Sequence, residues 1–439
     1  MIENNRRNIT VAILLKLVEF FDIKLSEITA DDGKILFSDL LDIFSDSMFS
    51  DHDLRTNDIK DFIASSPVVA DSIRTLYGQY QQNKKDLELM GEKFLDAKQN
   101  IPSELNLGRS TSDAVSDLLQ NNKNYFAELE HLSYKINKLM KINKNNRLPK
   151  MIEYLEFHHG VTIDFSNTKN VDNLVRKYYP EKKHLLISKD LSRKSTQFQI
   201  AQQIGLIAAK DVIERLLIDH NIDETDTLAL GKTVLANYFS AALLMPYDDF
   251  FEIAEESKYD IELIENNLDT TFEQVCHRMT TLQKPGLVGI PFHLIRVDIA
   301  GNISKRFSLS GLQIPRYSVA CSRWNVFFSF MNPGKINRQI SQMMDGSSYL
   351  CISRSIRKRG GYYGIPETYF SIGLGCEISY ADRWIYSRGM DFDRKIPTGI
   401  SCRICERKDC RHRAFPPIHR KLYFNEHSRG VSGYVTPET

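Results

Sequence analysis

The chain has 439 residues, 42% hydrophobic and 26% charged, with 57 basic against 56 acidic side chains. That length suggests about two to four domains, each able to bury a core. The near-zero balance excludes a global field drawing the chain onto nucleic acid or membrane, so any such contact must come from local patches.

The N-terminal stretch "MIENNRRNIT" lacks the apolar core of a secretory signal. Thr10 to Ile23, "TVAILLKLVEFFDI", carries apolar residues at helical spacing with Thr10 as N-cap. Val68 to Leu95 is expected to be one long amphipathic helix and a candidate dimer seam. A further helix is expected over Ser112 to Met140, and the polar, basic Lys141 to Lys150 reads as a boundary. "MIEYLEFHHG" is expected to be helical, "VTIDF" and "HLLIS" extended. Helices follow over Lys194 to Leu217, Lys232 to Pro246 and Thr270 to Leu282, the last with a Thr cap and Glu273 at capping-box spacing.

After Lys284-Pro285-Gly286 the pattern changes to strands. "GIPFHLIRVDIAGNISKRFSL" predicts a hairpin turning at Ala300-Gly301-Asn302. "INRQISQMMDGSSYLCISRSI" predicts a second, turning at Asp345-Gly346, and "ETYFSIGLGCEI" is a third extended piece. The C-terminal part is therefore expected to be α+β around an antiparallel sheet. No run of about 18 apolar residues marks a membrane helix, and a cytoplasmic location is expected.

Seven cysteines in such a compartment favour thiols or metal ligands over disulfides. Cys402, Cys405 and Cys410 sit in "SCRICERKDCRHRAFPP". Thiolates this close can hold one metal centre from a single loop, either zinc or an iron–sulfur cluster, and each needs a fourth ligand. Cys376, Cys321, Cys351 or, for zinc, His412 could supply it. Arg403, Arg407, Lys408, Arg411 and Arg413 would offset the charge of such a centre or bind an anion. A loop of unliganded thiols is the bland alternative.

The pieces "ENNRRNITVAILLKLVEFFDIKLSEI", "FQIAQQIGLI", "LANYFSAALLMP", "FEQVCHRMTTLQKPG", "IPFHLIRVDIAGNISKRFS", "CSRWNVFFSFMNPGKI" and "CRICERKDCRHRAFPP" together resemble the short-chain fatty acyl transcriptional regulators. The resemblance implies a DNA-binding regulator of short-chain acyl-CoA or carboxylate metabolism, and not an enzyme. It implies a partial lambda-repressor-like helix-turn-helix over 1–30, N-terminally truncated, and a helical linker or dimerisation region over 31–147. A degenerate zinc-peptidase-like domain would follow over 148–283, and an acyl-CoA sensor domain with the cysteine cluster over 284–439. Implied partners are promoter DNA, a short-chain acyl-CoA and a second copy of the chain, with no membrane. The implied cofactor is a [4Fe–4S] cluster, with zinc as the alternative.

Asn5, Arg6 and Arg7 would lie where such domains touch phosphates. Lys305 and Arg306 in "NISKRFS", and Arg323 and Trp324 in "CSRWN", are the candidate CoA contacts, with Arg354, Arg357, Lys358 and Arg359 a further basic run. Peptidase relatives place H-E-x-x-H on a helix, but the matching positions here are Gln202, Gln203 and Leu206, with Leu235 where an acidic ligand is expected. An amide is a poor zinc ligand and leucine is none, so the alternative of a zinc metallopeptidase is disfavoured. His158-His159 reads as a surface pair at a helix end.

Overall fold

A computed structural model describes residues 36–37, 39–40, 43–44, 56–96, 111–166, 174–315, 320–359, 367–408, 410–416 and 427. The expected Thr10 to Ile23 helix and Asn5, Arg6 and Arg7 lie outside them. The chain divides into two compact units, Met1–Leu107 and Gly108–Thr439.

In the first unit, α1 (Thr56–Ser65) is followed by α2 (Pro67–Asp96), close to the predicted span. Pro67 suits the first helical position, where its missing N–H has no partner to lose. Ala70, Ile73 and Tyr77 on one flank of α2 pack with Leu40, Ile43, Ile59 and Phe62.

The second unit begins with α3 (Thr111–Asn121) and α4 (Ala127–Met140) in place of the single predicted helix. Lys123 and Asn124 adopt φ of 49° and 50° and break it. The kink turns Phe126 inward, where it is 3% exposed. Lys141 ends α4 in the left-handed region, and α5 (Arg147–His159) starts soon after. Arg147 is buried and donates to the Leu268 and Leu244 carbonyls at 2.8 and 3.0 Å, so this polar stretch is stitched into the unit.

β1 (Thr162–Ser166), β2 (Arg176–Tyr179) and β3 (His184–Ser188) form a small sheet in the order β1-β3-β2. The predicted Lys194–Leu217 helix is also divided, into α6 (Arg193–Ala208) and α7 (Lys210–Asp219), and α8 (Thr225–Leu244) packs against α6. By length and composition α8 could cross a membrane, but 61% of its most apolar window is buried in the unit, as a core helix requires. Then come α9 (Tyr247–Glu256), α10 (Ile261–Leu268) and α11 (Phe272–Met279). The cap of α11 is Thr271, whose capping box closes with Gln274, one residue later than expected. That shift frees the Glu273 carboxylate for other partners. Arg278, wholly buried, donates to both carboxylate oxygens of Glu130, at 2.6 and 2.9 Å, tying α11 to α4.

A short ribbon, β4 (Gln283–Lys284) and β5 (Leu287–Val288), leads to the main sheet. Its strands are β6 (His293–Asp298), β7 (Ile303–Ser308), β8 (Asn337–Gln342), β9 (Ser348–Arg359), β10 (Thr368–Glu377) and β11 (Ile396–Pro397), in the order β11-β8-β9-β10-β6-β7. Both predicted hairpins form, with Gly301 and Gly346 at φ of 90° and 88° supplying the left-handed turn positions. Alternation gives the sheet two faces. Leu294, Ile352, Ile372 and Leu374 join the core shared with the helices. Ile295 and Val297 point the other way and pack with Trp324 and Val326 around the short helix α12 (Asn325–Phe328).

Candidate ligand and metal site

The cysteine loop lies against the second face of the main sheet. One cavity is lined by Cys321, Cys402, Cys405 and Cys410 together with Arg323, Gly399, Arg407, His412 and Arg413. Two arginines fix the loop backbone. Arg413, 4% exposed, donates to the Cys402 and Cys405 carbonyls at 2.7 and 2.9 Å and to the Arg407 carbonyl. Arg407 donates to the Thr398, Gln342 and Met343 carbonyls at 3.0–3.3 Å, anchoring the loop to the end of β8. The Cys321 N–H donates to Ile400 at 2.8 Å, which brings a cysteine some eighty residues upstream in sequence to the same wall. Burial raises the Cys321 thiol, with Cys402 and Cys405 pushing the same way against nearby backbone donors.

Of the four candidates for a fourth ligand, Cys321 and His412 stand with the loop. Cys376 is buried in the helix-facing core, and Cys351 lines a neighbouring cavity. As placed, no three His, Cys, Asp or Glu side chains among the described residues are grouped to grip one ion. The gathering is nonetheless one of backbone, and each sulfur moves by a single χ1 rotation between staggered wells. Two observations fit a thiolate-bound group. A Cβ on Gly399 would stand 3.0 Å from the Cys405 sulfur, so only glycine leaves that approach clear. The Ser401 hydroxyl is buried without a hydrogen-bond partner, on the wall of the same cavity.

The neighbouring cavity is apolar, about 20 Å³, room for little more than one water. His293, Ile295, Leu312, Trp324, Met343 and Cys351 are among its lining residues. Gly373 lets α12 lie directly on the sheet, since a Cβ there would meet Val326 Cγ1 at 2.4 Å. Burial pushes the His293 imidazole down to about 3 and the Cys351 thiol up to about 12, so both are neutral, with Sγ and Nε2 3.6 Å apart. Trp324 separates the two cavities. It is 6% exposed, lines the apolar one, and donates from Nε1 to the Gly399 carbonyl of the other at 2.9 Å. Thr398 Oγ1 stands 3.3 Å from the Met343 sulfur and completes the connection.

Arg323 lines the cysteine cavity, and Trp324 beside it lines the apolar one and bonds to Gly399 on the wall of the other. The other predicted pair is divided between faces. Arg306 is opposite Ile295, on the cavity face, whereas Lys305 is opposite Arg296, on the helix face. There Arg296, Lys305 and Lys358 converge on Glu273, at 3.0 and 3.4 Å for the first two. Burial opposes the Glu273 charge, but His277, Lys305 and Lys358 outweigh it and hold the carboxyl well below its usual range. Arg354 faces Glu262 and Glu265 at 3.5 and 3.6 Å, and Arg357 pairs with Glu367 at 2.8 Å.

In the middle region Gln202 and Gln203 are buried in α6, 6% and 2% exposed, and Leu235 is wholly buried in α8. His158 and His159 end α5 and pack against the Tyr154 ring, the first tilted and the second edge-on. Sequence reasoning did not reach the apolar cavity, because its walls come from six separated stretches. The only signal was "CSRWN", which carries Cys321, Arg323 and Trp324 together.

Comparison with known proteins follows the same division. Residues 281–434 match the C-terminal domain of the short-chain fatty acyl coenzyme A regulators, and residues 157–280 match the IrrE N-terminal-like domain. The HTH-type transcriptional regulator RamB of Mycobacterium tuberculosis is 32% identical over 100% of this chain and 92% of its own length. PrpR, another HTH-type transcriptional regulator of that organism, is 31% identical over 100% of this chain and 89% of its own. The propionyl-CoA carboxylase regulator of Cereibacter sphaeroides is 30% identical over 98% and 91%. A solved Mycobacterium tuberculosis transcriptional regulator superposes with a TM-score of 0.70 at 32% identity, covering 74% of this chain and 100% of its own. The chain thus belongs to the short-chain fatty acyl coenzyme A regulators, a family of transcriptional regulators.

Proposed function

We propose that the chain is a cytoplasmic, homodimeric regulator of promoter DNA whose C-terminal domain senses a short-chain acyl-CoA, with the apolar cavity behind Trp324 as the acyl slot. The observation that carries this reading is the pairing of that slot with a four-cysteine cavity across one tryptophan. Cys321, Cys402, Cys405 and Cys410 are the donors we assign to a [4Fe–4S] cluster. Four thiols suit iron–sulfur ligation better than the zinc alternative with His412. When bound, such a cluster supplies a redox-active, structurally bracing centre. This chain's own residues do the rest: Arg413 and Arg407 hold the loop, and Trp324 and Met343 pass its position to the slot.

The slot as it stands is too small for an acyl chain, so ligand must favour a more open arrangement, and that differential affinity is what regulates. Arg323 at the neighbouring cavity and Arg306 on the same sheet face are the cationic groups we assign to CoA phosphates. The middle region is read as scaffold, because buried amides replace the zinc-binding histidines of the peptidases.

Calorimetric titration of the full chain, prepared anaerobically, tests the reading. Propionyl-CoA should bind with at least about tenfold higher affinity than free CoA, a difference of about 1.4 kcal/mol. Met343→Ala should move the preference towards a longer acyl chain. Equal affinity for CoA and propionyl-CoA would remove the acyl slot from the proposal.

A further inference from the structure

Two residues that line the apolar slot carry chemistry that binding alone does not use. Cys351 on β9 and His293 on β6 are both in register with Gly375 of β10, the strand between them. Their Cα atoms are therefore two strand spacings apart, about 10 Å. An ordinary side chain on β10 would keep the pair separate. A Cβ on Gly375 would stand 2.3 Å from His293 Nε2, so the imidazole lies across bare backbone and reaches the thiol. The Sγ–Nε2 distance is 3.6 Å, and the Tyr349 carbonyl competes for the same sulfur proton only at 3.9 Å. On the far side of the ring Nδ1 is 2.8 Å from Ser310 Oγ. In the tautomer with Nδ1–H donating to Ser310, Nε2 turns its lone pair to the Cys351 S–H. A thiol, a base and a hydroxyl that orients the base are the parts of an activated sulfur nucleophile. Cys276 and Cys376 are as deeply buried, but they belong to the helix-facing core and line neither of the two cavities.

We infer that Cys351 takes the acyl group of a bound short-chain acyl-CoA by transthioesterification, with His293 as its base. The inference rests on the acyl-slot reading above and deepens it, from reversible sensing to a covalent record of the ligand. In the step, Cys351 Sγ–H gives its proton to Nε2 as the sulfur attacks the thioester carbonyl carbon. The bond from that carbon to the CoA sulfur breaks, and Nε2 passes the proton to the leaving sulfur. The products are S-acyl-Cys351 and free CoA thiol. One thioester replaces another, so the exchange needs no oxidant, reductant or co-reactant. In the closed slot burial keeps the thiol and the imidazole uncharged, and the pair is at rest until ligand opens the slot. The acyl group then stays against Ile295, Leu312 and Met343 after CoA has left.

Intact-protein mass spectrometry of the full chain, prepared anaerobically and incubated with propionyl-CoA, is the test, with calorimetry on the same sample. One propionyl group should be added per chain, with an equal amount of free CoA released. Peptide mapping should place it on Cys351, and neutral hydroxylamine should remove it, as it cleaves a thioester. The S-propyl thioether of CoA, which has no carbonyl to attack, should give binding heat and no adduct. His293→Gln should slow acylation at saturating propionyl-CoA by at least about a hundredfold, the contribution of a general base. Gly375→Ala should slow it too, because its Cβ takes the place of the imidazole. Binding without an adduct, an adduct on Cys402, Cys405 or another sulfur, or acylation at the wild-type rate in either variant would each overturn the inference and leave the slot reading standing. Neither heat nor adduct would remove the slot and the inference together.

Discussion

His293 illustrates what one buried side chain contributes. It is 3% exposed, with Nδ1 2.8 Å from the Ser310 hydroxyl and Nε2 against the Cys351 sulfur, and among the described residues no carboxylate is bonded to it. Burial therefore holds its imidazole down at about 3, from an ordinary value of 6.5. The unfolded chain takes up this proton below 6.5 while the folded chain refuses it. Stability is then fully present above 6.5 and declines as pH falls towards 3, by up to about 1.4 kcal/mol per pH unit. Replacing His293 with Gln should flatten that acid limb in urea titrations repeated from pH 7 to 4. An unchanged pH slope would mean that the imidazole is solvated. Nothing in "IPFHLIR" foretold this. A histidine within a strand reads the same whether it faces water or a cavity, and only the register against β10 and β7 shows which.

The elements were legible where periodicity and turn residues agreed, and obscure where tertiary contacts overrode them. Asp345-Gly346 and Ala300-Gly301-Asn302 turn where their φ preferences direct. The two predicted helices that proved divided contain no Pro, and Ser112–Met140 contains no Gly either. It breaks at Lys123-Asn124 because the left-handed kink turns Phe126 into the core, an advantage invisible to local propensity. Lys305 and Arg306 show the same limit: adjacent in sequence, they serve opposite faces once β7 is paired. The contact between α12 and β10 is the element on which the slot depends. Gly373→Ala would set a Cβ 2.4 Å from Val326 Cγ1 and 2.8 Å from Ile295 Cγ2, between two side chains already packed. The helix must lift, at a cost of about 1–3 kcal/mol. The expected result is a lower midpoint in chemical unfolding together with weaker propionyl-CoA binding. A variant of wild-type stability with unaltered affinity would show that α12 does not wall the slot.

At the scale of the whole molecule, the chain divides at residues 107 and 108, with α1 and α2 in the first unit and the C-terminal domain in the second. The three clustered thiols near the C-terminus were plain in the sequence, whereas choosing Cys321 as their fourth neighbour required the fold, because the Cys321–Ile400, Ser322–His412 and Trp324–Gly399 bonds bring the two stretches together. The second unit contains its own cores, including the one shared by α4, α8 and the main sheet and the one around Trp324. A fragment of residues 108–439 should therefore fold and bind propionyl-CoA within about threefold of the full chain, a difference under 1 kcal/mol. Regulation, however, needs both units. If, as proposed, ligand and promoter DNA act on one equilibrium, the factor by which propionyl-CoA changes DNA affinity must equal the factor by which DNA changes propionyl-CoA affinity. Titrating the full chain with propionyl-CoA, with and without saturating promoter DNA, should give that shared factor, and the fragment's affinity should not respond to DNA. A fragment that responds would place DNA contacts within 108–439 and overturn this division of labour.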